Sequence, residues 1–102
     1  MPQRHAVTTL DALPPGSSKA FEVEGQTIAL FNVDGKLFAI GDRCPHAGAS
    51  LAEGTLKGGT CVTCPWHFAD FDLATGKALS GPADDVPSYP VSVSGNAIEV
   101  EV

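Results

Sequence analysis

An all-β fold, a sandwich or a small barrel, is predicted by three features of this chain. Short runs alternate apolar and polar residues, turn-forming dipeptides punctuate them, and helical periodicity is almost missing. Apolar residues are 43% of the 102 residues, enough for a packed core, and the length suits a single domain over residues 1–102. "AFEVEG", "TIALFNV" and "KLFAIG" predict strands, with Asp34-Gly35 as the hairpin turn between the last two. "GTCVTCP" predicts a short strand ending at Pro65. "ADFDLATGKAL" predicts two strand pieces around a Thr75-Gly76 turn, and "YPVSVSGNAIEVEV" a hairpin turning at Ser94-Gly95-Asn96. One turn near "LDALPPG" is the only helical hint, and its two prolines end it.

The stretch from Gly41 to Gly59 differs: it is rich in glycine and alternates weakly. It predicts a loop of the kind that carries function on a β scaffold, and "SGPADDVP" predicts another.

Charge narrows the function classes. Six Lys+Arg against 12 Asp+Glu leave a formal net charge of −6, which argues against nucleic acid and permits a partner with a positive docking face. "MPQRHAVTTLDALPPG" lacks the apolar core of a signal peptide, and no run approaches the roughly 18 apolar residues of a membrane span. A soluble, cytoplasmic protein is expected. The 3 cysteines are an odd number, which suggests ligands or reactive thiols and not a disulfide framework.

Two of those cysteines are each followed closely by a histidine. "CPHAG" spaces Cys44 and His46 as C-x-H, and "CPWHF" spaces Cys64 and His67 as C-x-x-H. Any one of these residues alone would be unremarked core or surface. Four donors in two Pro-bearing segments make a metal site the better reading. A Cys₂His₂ set suits tetrahedral zinc, and it also suits a [2Fe–2S] cluster in which two histidines replace two cysteines on one iron. Zinc fingers usually group their cysteines together and their histidines together. Here each segment offers one of each, an order that favours the cluster.

"CPHAGASLAEG" followed by "CPWHFADFDLATG" resembles the Rieske motif, and "FDLATGKAL" and "GPADDVPSYPV" resemble the family's flanking pattern. The resemblance runs from about Thr8 to the end. The short length is similar to stand-alone Rieske-type ferredoxins of multicomponent aromatic-ring dioxygenases. It implies an antiparallel β-sandwich carrying a small cluster-binding subdomain, with ligand loops at about 41–59 and 61–72 and a covering loop, with Pro82, at about 80–87. It implies one Rieske-type [2Fe–2S] cluster, its inner iron on Cys44 and Cys64 and its outer iron on His46 and His67. It further implies a monomeric one-electron carrier between a flavin-dependent NAD(P)H reductase and a terminal Rieske oxygenase in aromatic compound degradation. Such a carrier is not itself an enzyme, and a chain of this length lacks room for the oxygenase's mononuclear-iron domain. Two rival expectations are a structural zinc-binding module and the small subunit of a nitrite-reductase-like enzyme. The second shares the fold but often lacks the ligands.

The ligand set bears on the potential. Two ferric ions, two sulfides, two thiolates and two neutral imidazoles sum to about zero charge, whereas four thiolates would leave about −2, so the histidines raise the potential. High-potential family members carry an extra cysteine in each box, joined as a disulfide. The matching residues here are Ala49 and Trp66. They also carry Ser and Tyr hydroxyls that donate to the cluster, where this chain has Ala69 and Phe71. Fewer donors predict a potential toward the lower end of the roughly −150 to +300 mV Rieske range. Phe68 replaces a glycine frequent after the second histidine, and could shield one side of the cluster or join a docking surface.

Other motifs tempt less. "CVTC" matches a redox pattern, but Pro65 follows it and no βαβ context surrounds it, so Cys61 is expected to be a buried strand residue. His5 is expected on a surface strand. Asp84 and Asp85 read as a solvated turn, or as part of an acidic docking face.

Overall fold

The computed structural model describes residues 3–43, 50–57, 60–64, 70–80 and 85–102; the side chains of Lys57 and Ser80 are outside the description. The described strands form three antiparallel sheets.

The central sheet is built on a meander of β2 (Ser18–Val23), β3 (Gln26–Val33) and β4 (Lys36–Gly41). Its turns are tight because both central residues are left-handed: Asp34 at φ 52° with Gly35 at 92°, and Glu24 at 52° with Gly25 at 77°. That is the turn whose twist matches a hairpin, so Val33 pairs with Lys36 and Val23 with Gln26. The short strand β9 (Ser88–Tyr89) pairs on the outer side of β4.

Alternation along β3 and β4 divides two cores. Ala29, Phe31 and Ile40 pack with Leu51, Ala52, Val62, Cys64, Phe71, Leu73 and Val86. Ile28, Leu30 and Ala39 pack with Leu13, Val23, Ile98 and Val100. Consecutive residues point to opposite faces, so one nearly continuous apolar run serves both layers.

On the second of these faces lies a sheet of β1 (Arg4–Thr9), β11 (Ala97–Glu101) and β10 (Val91–Ser94). The expected "LDALPPG" helical turn is a pair of turns, with Ala12 N–H bonded to the Thr9 carbonyl at 3.1 Å and Leu13 N–H to that of Leu10 at 3.3 Å. Asn32 latches it to the sheet by donating Nδ2 to the Leu13 carbonyl at 2.8 Å.

On the first face lies a sheet of β5 (Thr55–Lys57), β6 (Cys61–Thr63), β7 (Asp70–Asp72) and β8 (Ala78–Ser80). Leu56, Val62, Phe71 and Ala78 form its inward row. Between β4 and β5 runs one 3₁₀ turn, Leu51–Glu53, whose Leu51 and Ala52 are buried. The stretch 41–59, expected as loop, therefore contains this turn and a strand. The antiparallel sandwich with an added smaller sheet agrees with the fold class expected from the sequence.

Candidate metal centre

Cys64 immediately follows β6 and is fully buried, in the core shared by Leu51, Val62 and Phe71. It sits there because Val62 alternates inward against Phe71 while Thr63 turns to the other face. Thr63 Oγ1 donates to Asp70 Oδ1 at 2.6 Å, across the rung where those two residues pair. Segment 65–69 leaves and returns at this rung. Asp70 pairs in turn with Ser80, the last residue before segment 81–84, so the two segments spring from one place.

The third segment, 44–49, is closed at its base by a buried carboxylate. Asp42 is 6% exposed. Its Oδ1 accepts from Ser50 Oγ at 2.8 Å and from the Ala52 N–H at 2.9 Å, while its carbonyl accepts the Leu51 N–H at 2.6 Å. Arg43 and Ser50 form a β-bridge beside it. Burial of a carboxylate is tolerable because these donors replace water.

The far side of segment 81–84 is tied down as well. Val86 N–H bonds to the Gly76 carbonyl at 2.8 Å, and Gly41 N–H to that of Pro87 at 2.8 Å. Asp85 Oδ1 accepts the Ala78 N–H at 2.8 Å, so this carboxylate is engaged in holding the segment's base to β8. The flanks of segments 65–69 and 81–84 thus meet at Thr63, Asp70 and Ser80, and Leu51, just beyond segment 44–49, shares the core of Cys64.

Of the four ligand candidates, Cys64 is described; Cys44, His46 and His67 lie outside the described residues, as do Ala49, Trp66, Phe68, Ala69, Pro82 and Asp84. Phe71 is fully buried in the inward row, and its ring carries no hydroxyl to donate. Cys61 lies on β6 and is half-buried, paired with Lys57 and Asp72. Among the described residues, no disulfide joins Cys61 and Cys64. His5 is on β1 as expected, but half-buried. Its Nε2 is shielded from solvent with no hydrogen-bond partner among the described residues, 3.7 Å from Glu24 Oε1. Sequence reasoning missed Asp42, although an acidic residue two positions before C-x-H was visible.

A model of the Rieske [2Fe–2S] domain matches residues 3–90. The chain belongs to the Rieske [2Fe–2S] domain family. Its family cofactor is one Rieske-type [2Fe–2S] cluster. The residues of this Rieske chain are compatible with that group: the fully buried Cys64 follows the rung that pairs Thr63 with Asp70, and the sequence offers two thiols and two imidazoles as candidate donors. The family match favours the cluster over the zinc-module expectation.

The 3-phenylpropionate/cinnamic acid dioxygenase ferredoxin subunit of Photorhabdus laumondii is 45% identical over 97 residues, 94% of this chain and 91% of that protein. Among solved structures, the ferredoxin of carbazole 1,9a-dioxygenase from Nocardioides aromaticivorans IC177 superposes with a TM-score of 0.89 at 34% identity, covering 96% of both chains. A chain of the complex of reduced oxygenase and oxidized ferredoxin in carbazole 1,9a-dioxygenase gives 0.86 at 29%, covering 95% of this chain and 91% of that one. A protein named as the NADH-dependent nitrite reductase small subunit of Mycobacterium tuberculosis gives 0.90 at 29%, covering 100% and 96%. No helix among the described residues is long and apolar enough to cross a membrane.

Proposed function

We propose that this Rieske chain is the ferredoxin component of an aromatic-ring dioxygenase system. It takes one electron from a flavin-dependent NAD(P)H reductase and passes it to a terminal Rieske oxygenase. The observation that carries this reading is the similarity, over nearly the full length of both chains, to a dioxygenase ferredoxin subunit. The name of that relative points to an arylpropanoid acid, of the 3-phenylpropionate or cinnamate type, as the substrate class of the system served. The cluster supplies one-electron storage; the chain binds it and does no bond chemistry.

In this reading Cys44 and Cys64 hold the inner iron as thiolates, and His46 and His67 hold the outer iron through ring nitrogens. The chain works as one domain, a monomer in the cytoplasm, with the covering loop at about 80–87, which holds Pro82, over the cluster. Its potential is low for the family, because Ala49, Trp66, Ala69 and Phe71 provide neither the disulfide nor the hydroxyl donors of high-potential members. A small, weak interface suits a carrier that must dock and leave twice per cycle. The solved complex of an oxygenase with a similar ferredoxin supports the acceptor.

The test is reconstitution. The reduced holoprotein is mixed with candidate oxygenases, and transfer is followed by bleaching and by substrate turnover. The reading requires oxygenase-dependent reoxidation coupled to hydroxylation of an arylpropanoid acid. Co-purification with a sirohaem subunit, and no transfer to any oxygenase, would favour the nitrite-reductase alternative, whose fold is also similar.

A further inference from the structure

The segment Ser50–Gly54 touches both ligand loops at their bases. At its first end, Ser50 and Ala52 are fixed on the Asp42 carboxylate, at the exit from β4. Ala52 is also held from the other side, because Ser18 Oγ on β2 donates to its carbonyl at 2.6 Å. At its last end, Gly54 lies against Thr63: a Cβ there would collide with the Thr63 carbonyl oxygen. Thr63 is the residue before Cys64. Between the two ends, Leu51 and Ala52 are buried in the same core as Cys64.

We infer that this segment is a spacer that sets where the first ligand loop leaves the sheet relative to the Cys64 sulfur. Asp42 and Gly54 are its two fixed points and act as positioning residues for the cluster. The inference rests on the ligand reading above. An iron–sulfur cluster is rigid, and metal–sulfur bonds tolerate errors of only about 0.2 Å. Loops that carry ligands must therefore be held by elements that do not give, and packed cores and engaged carboxylates are such elements. Asp42 acts here as an acceptor of two hydrogen bonds at fixed positions. An asparagine retains the accepting Oδ1, and an alanine does not. Gly54 acts by what it lacks, since any side chain forces the 3₁₀ turn and β6 apart.

The experiment compares D42A, D42N, G54A and S50A in the holoprotein, with C64S as the control for ligation. It reads iron and acid-labile sulfide per chain, and the g-values of the reduced cluster. D42A and G54A are expected to lose at least half of the cluster and to shift the g-values of what remains. D42N is expected to restore content and g-values to those of the wild type. S50A, which removes one donor from Asp42, is expected to keep its cluster with a smaller shift, so the test survives if D42A or G54A fails to fold. Wild-type content and g-values in D42A, G54A and S50A, or a D42N protein as defective as D42A, would overturn the inference. If C64S loses the signal while those variants keep it, only the spacer falls. If C64S keeps a wild-type signal, the ligand reading falls and takes the spacer with it.

Discussion

Thr63 Oγ1 donates a 2.6 Å hydrogen bond to Asp70 Oδ1, joining the two flanks of segment 65–69 one residue before Cys64. A hydroxyl to a carboxylate in a part-buried site contributes about 1.5–3 kcal/mol. T63V keeps the shape and removes the donor. We expect a melting temperature lowered by roughly 6–24 °C, at about 4–8 °C per kcal/mol for a domain of this size. Differential scanning fluorimetry of the holoprotein measures it, and an unchanged midpoint would show that the bond adds nothing.

Phe71 is the one position matching the hydroxyl donors of high-potential members that the structure describes. It is fully buried and shares its core with Cys64. F71Y places a hydroxyl in this apolar setting, where an unpaired group is costly. We expect it to donate toward the cluster sulfurs and raise the reduction potential, because a donor stabilises the more negative reduced cluster. Protein-film voltammetry of both forms decides; an equal or lower potential in F71Y contradicts the proposed cause of the low potential.

Burial holds the Tyr89 phenol above its ordinary value of 10.0. The folded state then keeps its proton to higher pH than the unfolded state does. The sign follows: this contribution to stability is fully present below about pH 10 and is lost as pH rises through the folded value. We expect denaturant midpoints to fall in that alkaline window, and Y89F to lose less stability across it. Tyr89 also donates to Gln26 Oε1 at 2.6 Å, so Y89F starts from a somewhat lower stability at neutral pH.

The net charge of −6 implies attraction to a basic partner surface. Electron-transfer rates with the cognate reductase and oxygenase should fall as ionic strength rises, because screening shortens to about 8 Å at 0.15 M. Stopped-flow bleaching across a salt series measures this. A flat or rising profile would assign docking to apolar contact instead.

Much of this was legible in the chain itself. The meander β2–β3–β4 announced itself through period-2 runs and through Asp34-Gly35, whose geometry is set by two adjacent residues. The ligand pattern was legible because C-x-H and C-x-x-H are local spacings. The strand Thr55–Lys57 and the 3₁₀ turn Leu51–Glu53 were not. Three residues are too few to show a period, and β5 exists by pairing with Cys61–Thr63, a partner that local pattern does not reveal. Asp42 looked like a loop carboxylate because its donors, Ser50 and Ala52, lie across the whole of segment 44–49. The double burial of β3 was only half visible: "IALF" is a run of apolar residues, and of the two cores that claim its alternate members one is completed by residues 51–86 and the other by residues near both ends of the chain.

The central claim, a Cys₂His₂-ligated [2Fe–2S] cluster at low potential in a one-electron carrier, is tested most directly by a redox titration of the isolated holoprotein followed by EPR. The account predicts a Rieske-type signal that appears on one-electron reduction with a midpoint below zero, toward the roughly −150 mV end of the family range. A midpoint well above zero would contradict the low-potential reading, and a colourless protein with zinc in place of iron would contradict the cluster itself.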